Sequence, residues 1–344
     1  MKNRSTFIRG IAAACAMLVI IFDTRTAVVS AREGVLLCFQ TLIPSLFPFF
    51  VLSSVINSSL LGQNFRLLQP VGQICKIPKG SESLLILGLL AGYPIGAQLI
   101  TQAYKAGKIS KRSALRMLGF CNNVGPAFLF GILAPLFSSA KTVWVLWGIH
   151  IFSALVTGCV LPSSEIETTH ITPGVGISFP ESLQKAIKAT AGVCGWVILF
   201  RVVLGFCNRW FLWLFPASAQ ILFSGILEMS NGCVLLHNIS KEGERFILSG
   251  IMLAFGGLCV GMQTISVTEG LGTGWYFPGK VLQTAFALLL SIIVQPVLFR
   301  RTEAVIPPLH VFVGLLFFLL LFMFLLRRKK VVAFQERLLY NTGN

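Results

Sequence analysis

Acidic side chains are scarce in this chain: 12 Asp and Glu stand among 344 residues, against 28 Lys and Arg. Histidine is scarcer still. His150, His170, His237 and His310 lie far apart, and neither an H-E-x-x-H segment nor a paired-carboxylate pattern is present, which excludes the usual zinc and acid–base hydrolases. The nine cysteines occur singly, with no C-x-x-C pair. A disulfide frame or thiolate cluster is therefore not expected, and the thiols serve as small buried side chains. The nearest approach to a phosphate-binding loop, Gly274-Trp275-Tyr276-Phe277-Pro278-Gly279-Lys280, is followed by Val281, where the magnesium-binding hydroxyl belongs. Trp275, Tyr276 and Lys280 there fit an interfacial anchor ahead of a membrane span. No enzyme, metal or cofactor is expected.

What the chain has in quantity is apolar surface. Hydrophobic residues make up 55% and charged residues 12%, and mean hydropathy is +0.81. Apolar runs recur along nearly the whole length, so an all-α polytopic membrane protein is expected. The first run, Ile11 to Phe22, follows Lys2, Arg4 and Arg9 but lacks a small-residue cleavage site, and is taken as a retained helix. The net charge of +16 is spread over short loops and span ends, as the positive-inside rule expects. No basic helix with interleaved aromatics invites nucleic acid.

Two stretches organise the pattern, Gly92-Tyr93-Pro94-Ile95-Gly96-Ala97-Gln98 and Cys121-Asn122-Asn123-Val124-Gly125-Pro126-Ala127-Phe128. Each lies inside an apolar run and carries the residues that break a helix. Broken backbone survives in hydrocarbon only where protein covers it or where it lines a polar cavity. The two breaks are therefore expected to meet near the midplane and form a small-molecule site. Spans are expected at about Phe7 to Val29, Val35 to Ile56 (kinked by Pro44 and Pro48), Leu115 to Phe137 and Val143 to Leu161. Asn57 to Ser83 reads as interfacial. Leu84 to Tyr104 is either one broken span or a re-entrant hairpin. Basic loops on both sides, with Lys105, Lys108, Lys111, Arg112 and Arg116 in the second, favour the hairpin.

After a polar connection, Pro162 to Pro180, the order recurs. A span is expected from about Glu181 to Phe206, a second hairpin from about Ile221 to His237, and a broken span from about Phe246 to Thr268 that holds Gly256-Gly257-Leu258-Cys259. One constant offset of 136 positions lays Gly96 on Gly232 and Gly125 on Gly261. The loop Lys241 to Arg245 balances two acids against two bases, as the outer face tolerates, so the second hairpin is expected to open opposite to the first. Spans at about Pro278 to Phe299 and Pro307 to Leu326, then Arg327-Arg328-Lys329-Lys330 inside, complete about eight spans plus two re-entrant broken-helix hairpins in two inverted-topology repeats. Arg300-Arg301 falls on the outer side of this scheme, against the charge rule.

Leu42 to Leu52, the Gly92 to Ala97 break, the basic loop after it and Phe120 to Phe128 together resemble the sporulation integral membrane proteins of the YlbJ type. That family carries nucleoside-recognition or Gate domains, related to pieces of concentrative nucleoside transporters and ferrous-iron permeases. The resemblance is clearest over about residues 35 to 137 and weaker to about residue 300. It divides the chain into a first transmembrane helix (1–34), a Gate-like repeat (35–162), a linker (163–180), a second repeat (181–300), and a last helix with a basic cytoplasmic tail (301–344). In the second half Glu228-Met229-Ser230-Asn231 replaces Gly-Tyr-Pro-Ile, and Gly256 to Cys259 replaces the paired asparagines. Binding roles carry over securely to the first half alone. The resemblance implies a multi-pass protein of the bacterial cell membrane, in the membrane around the forespore, that moves the small anion dipicolinate. It leaves a homo-oligomer or other sporulation membrane proteins as partners beside the lipid bilayer.

The candidate substrate-binding residues are Tyr93, Pro94, Gly96, Gln98, Asn122, Asn123 and Gly125 in the first half, and Asn231, Gly232 and Gln263 in the second. Half-helix N-termini there would present unpaired N–H groups to a carboxylate, although Gly and Pro also serve simply to kink and pack membrane helices. Glu228 is the candidate ion-coupling residue, since an intramembrane acid is costly; alternatively it is solvated at an interface. Arg201 fits a snorkelling side chain better than an anion ligand. Besides a carrier, a membrane scaffold for spore-envelope assembly and a nucleoside-type transporter fit the pattern.

Overall fold

A computed structural model describes residues 2–60, 66–162 and 178–299, and no strand occurs among them. Helix α1 (Lys2–Phe22) stops at Asp23, whose carboxylate accepts a hydrogen bond from Thr26 N at 3.2 Å and caps α2 (Thr24–Leu37). The expected first span, Phe7 to Val29, is thus two helices, because a short acid competes for backbone N–H groups and restarts the helix. Helix α2 continues through a π-helical turn (Cys38–Leu42) into α3 (Ile43–Leu60). The wide turn lies just ahead of Pro44, whose ring would clash with the carbonyl one turn back. A second π turn, Leu129–Leu133, stands in the same relation to Pro135.

The segment expected to be interfacial is largely inside. After α4 (Gln69–Ile74), Cys75, Ile77, Ser81 and Glu82 are all buried. Arg116 holds this loop, donating to Cys75 O at 2.6 Å, to Lys76 O at 3.3 Å and to Gly158 O. It was expected as one more loop charge, but five guanidinium N–H groups can tie several orphan carbonyls at once, and here they join the C-terminal ends of two helices, Gln69–Ile74 and Ala140–Val160.

Helices α5 (Glu82–Leu90) and α6 (Ile95–Lys105) flank the first break and fold back on each other. A Cβ on Gly88 and a Cβ on Gly96 would both overlap the same Cys121 carbonyl oxygen. In a continuous helix those two positions would lie about 12 Å apart. The second pair, α11 (Ala217–Leu227) and α12 (Met229–Leu235), repeats this: a Cβ on Gly232 would overlap the backbone of Gly225. Between the two hairpins come α7 (Lys111–Met117), an unwound stretch at 118–125, and α8 (Pro126–Phe128) leading through the π turn to Leu136. Helices α9 (Ala140–Val160) and α10 (Phe179–Trp210) follow, then α11 (Ala217–Leu227), α12 (Met229–Leu235), α13 (Glu242–Phe255), α14 (Gly257–Val267) and α15 (Tyr276–Leu298).

Among the described residues five stretches are long and apolar enough to cross a membrane: Thr24–Ser59, Ala140–Val160, Phe179–Trp210, Glu242–Val267 and Tyr276–Leu298. Helix α10 lies along α2 and α3, and α15 packs against α9 and α13, with the hairpins held between these layers. The expected last span (Pro307 to Leu326), the basic run from Arg327 to Lys330, Arg300-Arg301 and most of the linker lie outside the described residues.

Close backbone contact at the hairpins makes their glycines sensitive to volume. Gly96→Val drives a side chain into the Cys121 carbonyl and should destabilise the protein by about 3 kcal/mol. Gly148→Ala, where a Cβ meets nothing within 4 Å, should be neutral or slightly stabilising. Thermal unfolding in detergent compares the two directly.

Candidate functional site

The helix breaks converge on one place. Gly92 has φ of +89°, and a Cβ there would lie 3.4 Å from Gly125 N in the unwound stretch. Gly256 and Gly257, between α13 and α14, have φ of +78° and +82°, a region that side chains rarely adopt. A Cβ on Gly256 would come within 3.1 Å of the Tyr93 ring, and one on Gly257 within 3.0 Å of Gly225 O. Each break therefore uses the absent side chain of a glycine to touch the next.

Between these breaks lies a small cavity of about 30 Å³. That is room for a water or two. Its walls come from both halves of the chain. Leu42 and Leu46 face it one helical turn apart, as do Val193 and Val197 on α10; Gly92, Tyr93 and Gly125 meet Glu228, Met229 and Gln263 between them.

Of the expected binding residues, Tyr93, Gly125 and Gln263 line this cavity, and so does Glu228. Asn122 and Asn123 are fully buried behind the wall, where they act as braces. Asn122 Oδ1 accepts from Ala97 N at 3.2 Å while its Nδ2 donates to Thr264 Oγ1 on α14 at 3.1 Å. Asn123 Nδ2 donates to Phe120 O at 2.6 Å, closing the unwound turn. Gly96 and Gly232 are helix-contact glycines, and Pro94 is the N-cap residue of α6. Gln98 belongs to a separate small cavity beside Phe50 and Lys185.

Glu228 is 1% exposed, so it is not a solvated interfacial acid. It caps α12: Oε1 accepts from Ser230 N at 3.1 Å, and Oε2 accepts from Asn231 N at 2.7 Å and Asn231 Nδ2 at 2.8 Å. The hairpin tip thus satisfies its own amides with its own carboxylate. Asn231 orients that carboxylate behind the wall. Arg201 sits away from the cavity, paired with Glu33 on the protein surface.

The residue that sequence reasoning misplaced is Lys280. It is 1% exposed, not an interfacial anchor, because Gly279 packs α15 directly onto the Gly119 backbone and carries the next residue inside. Its Nζ donates to Tyr93 Oη at 3.0 Å, Asn123 Oδ1 at 3.1 Å and Gln283 Oε1 at 2.8 Å. The signal available in the sequence was the polar face Lys280, Gln283, Thr284 at helical spacing within an apolar run. Nearby, both ring nitrogens of buried His150 lack a partner. Among the described residues no group of His, Cys, Asp and Glu could hold a metal ion.

No protein-family model and no solved structure matches the chain. Among curated proteins, the sporulation integral membrane protein YlbJ of Bacillus subtilis (strain 168) is 24% identical over 311 residues, covering 77% of this chain and 76% of that protein. The resemblance carried by the broken-helix motifs thus extends over most of the chain. With an integral membrane relative and several helices long and apolar enough to cross a bilayer, the chain is a multi-pass membrane protein.

Removing the cap tests the hairpin tip. Glu228→Ala strands two buried N–H groups and should cost about 2 kcal/mol, whereas Glu228→Gln keeps an acceptor and should cost less. Hydrogen exchange at the Ser230 and Asn231 amides reads the difference.

Proposed function

We propose, from the likeness to a sporulation integral membrane protein, that this chain is a carrier acting during bacterial sporulation in a membrane around the forespore. Its cargo is a small organic anion, dipicolinate by the family resemblance. The observation that carries this reading is the cavity walled by three helix breaks, at Gly92, Gly125 and Glu228, and by Val260 and Gln263 of α14, from both halves of the chain. A scaffold has no need of interrupted backbone around an internal space, and interrupted backbone is costly in lipid.

The two halves are taken as inverted repeats, about residues 35–162 and 181–300. Three features support this. Each half gives a long helix, a hairpin, a broken segment and a further span, in the same order. The hairpin breaks at Gly92 and Glu228 stand at the same 136-residue offset that relates Gly96 to Gly232. Each long helix also presents one pair of apolar residues, a turn apart, to the cavity. Counting the shorter apolar stretches and the segments beyond Phe299, the scheme has about eight spans. At about 30 Å³ the cavity is too small for an organic anion; loading requires the hairpins to part, which is the rocking motion of inverted-repeat carriers. Tyr93, Gly125 and Gln263 would touch the cargo, with Asn122 and Asn123 holding the breaks in place.

Glu228 is the coupling group in this reading, taking up a proton or cation as cargo binds. The titratable side chains around it are the thiols of Cys38, Cys233 and Cys259, so no basic residue holds its charge in place.

Purified protein in proteoliposomes should take up labelled dipicolinate and not uridine. Asn122→Ala with Asn123→Ala should slow uptake at least tenfold in correctly inserted protein. No uptake by the wild type would turn us to the scaffold. An inward proton gradient should accelerate wild-type uptake, and Glu228→Gln should remove that response; an unchanged pH profile would end the coupling role.

A further inference from the structure

We propose that Lys280 is the residue that makes the central cavity selective for a carboxylate, acting through the hydroxyl of Tyr93. This rests on the carrier reading and adds to it the group that recognises charge.

The ammonium of Lys280 is enclosed by three oxygens at hydrogen-bond distance, from Tyr93, Asn123 and Gln283. An ammonium has three donors and no acceptor, so three acceptors fit the charged form. All three partners are neutral. No Asp or Glu among the described residues forms an ion pair with Lys280. A buried cation without a counterion is costly, and proteins that keep one normally pair it. Here the place for a counterion lies one side chain away, because Tyr93 both holds the ammonium and lines the cavity.

The Tyr93 hydroxyl is arranged to transmit that charge. Its oxygen accepts from Lys280, and its proton points to Leu253 O at 3.3 Å, a long bond to the last turn before the Gly256 break. An anion that reaches this hydroxyl as the hairpins part offers its proton a stronger acceptor than Leu253 O, and the ammonium behind it polarises the O–H further. Lys280 is thus a positioning residue for the Tyr93 hydroxyl.

The rest of the wall sets the body of the ligand. Leu42, Leu46, Val124, Phe128, Val193 and Val197 are apolar, which suits an aromatic or aliphatic carboxylate; Glu228 lines the same cavity, and a carboxylate fits beside it once Glu228 has taken up its coupling proton or cation. Moving the Tyr93 proton off Leu253 O also loosens the first hairpin from α13, so binding and release of that contact are one event.

The test uses full-length protein in proteoliposomes with two probes of one shape, dipicolinate and its uncharged diamide. Saturable uptake is read together with thermal stabilisation by each probe. Lys280→Met should raise the apparent KM for dipicolinate at least tenfold and leave the response to the diamide within twofold. Lys280→Arg should recover part of the loss. Gln283→Glu, which sets a carboxylate beside the ammonium with Lys280 unchanged, should weaken dipicolinate in the same way and decides the matter if Lys280→Met does not insert. Wild-type handling of dipicolinate with unaltered variants overturns the role of Lys280 and leaves the carrier reading intact. Equal loss of both probes with a lower melting temperature makes Lys280 a structural residue and also overturns it. A wild type that neither transports nor is stabilised by dipicolinate overturns the carrier reading itself.

Discussion

Every interruption of a helix in this protein is answered by another interruption. Backbone N–H and C=O groups freed inside an apolar layer cost several kcal/mol if nothing meets them. The chain meets them locally and in trans. The amide of Asn123 returns to Gly88 O at 3.0 Å, Asn122 Oδ1 caps the start of α6, and Glu228 caps α12. Because the freed groups need partners, the breaks are drawn together, and glycines at the contacts let backbone approach backbone. The cavity is what remains where the breaks at Gly92, Gly125 and Glu228 meet α10 and α14.

A polar brace fixes that assembly. Asn123 is its centre, receiving Lys280 and Gln283 Nε2 on one oxygen at 3.1 and 2.9 Å while its own amide closes the Phe120 turn. Through it the first broken segment is tied to α15, and through Tyr93 the first hairpin is tied to both α15 and α13. Residues from distant parts of the chain thus share one network in a low-dielectric interior, where a satisfied network rigidifies and an unsatisfied one is expensive. Asn122 and Asn123 hold the walls of the cavity, and Tyr93, Gly125 and Gln263 line it.

Much of this was visible before any coordinates. The Gly-Tyr-Pro and Asn-Asn-x-Gly-Pro segments announce breaks because glycine and proline act locally, on their own backbone. The offset linking Gly96 to Gly232 pointed to the second hairpin, although Glu228 there bears no likeness to Gly92. Lys280 was misplaced for the opposite reason. Its neighbours Trp275 and Tyr276 have the composition of an interfacial belt, and only the seating of Gly279 on Gly119 puts the lysine inside. Arg116 was misjudged in the same way, as one charge in a basic loop, until the orphan carbonyls of Cys75 and Gly158 gave it partners.

Sequence alone determined that this is a helical membrane protein and where its helices break, since hydropathy and backbone stereochemistry are properties of short stretches. Tertiary structure decided which polar groups face the cavity, which merely support it, and where the buried charge lies. Those choices depend on which distant backbone atom comes within 3 Å of a side chain, a distance set by the packing of helices far apart in the chain.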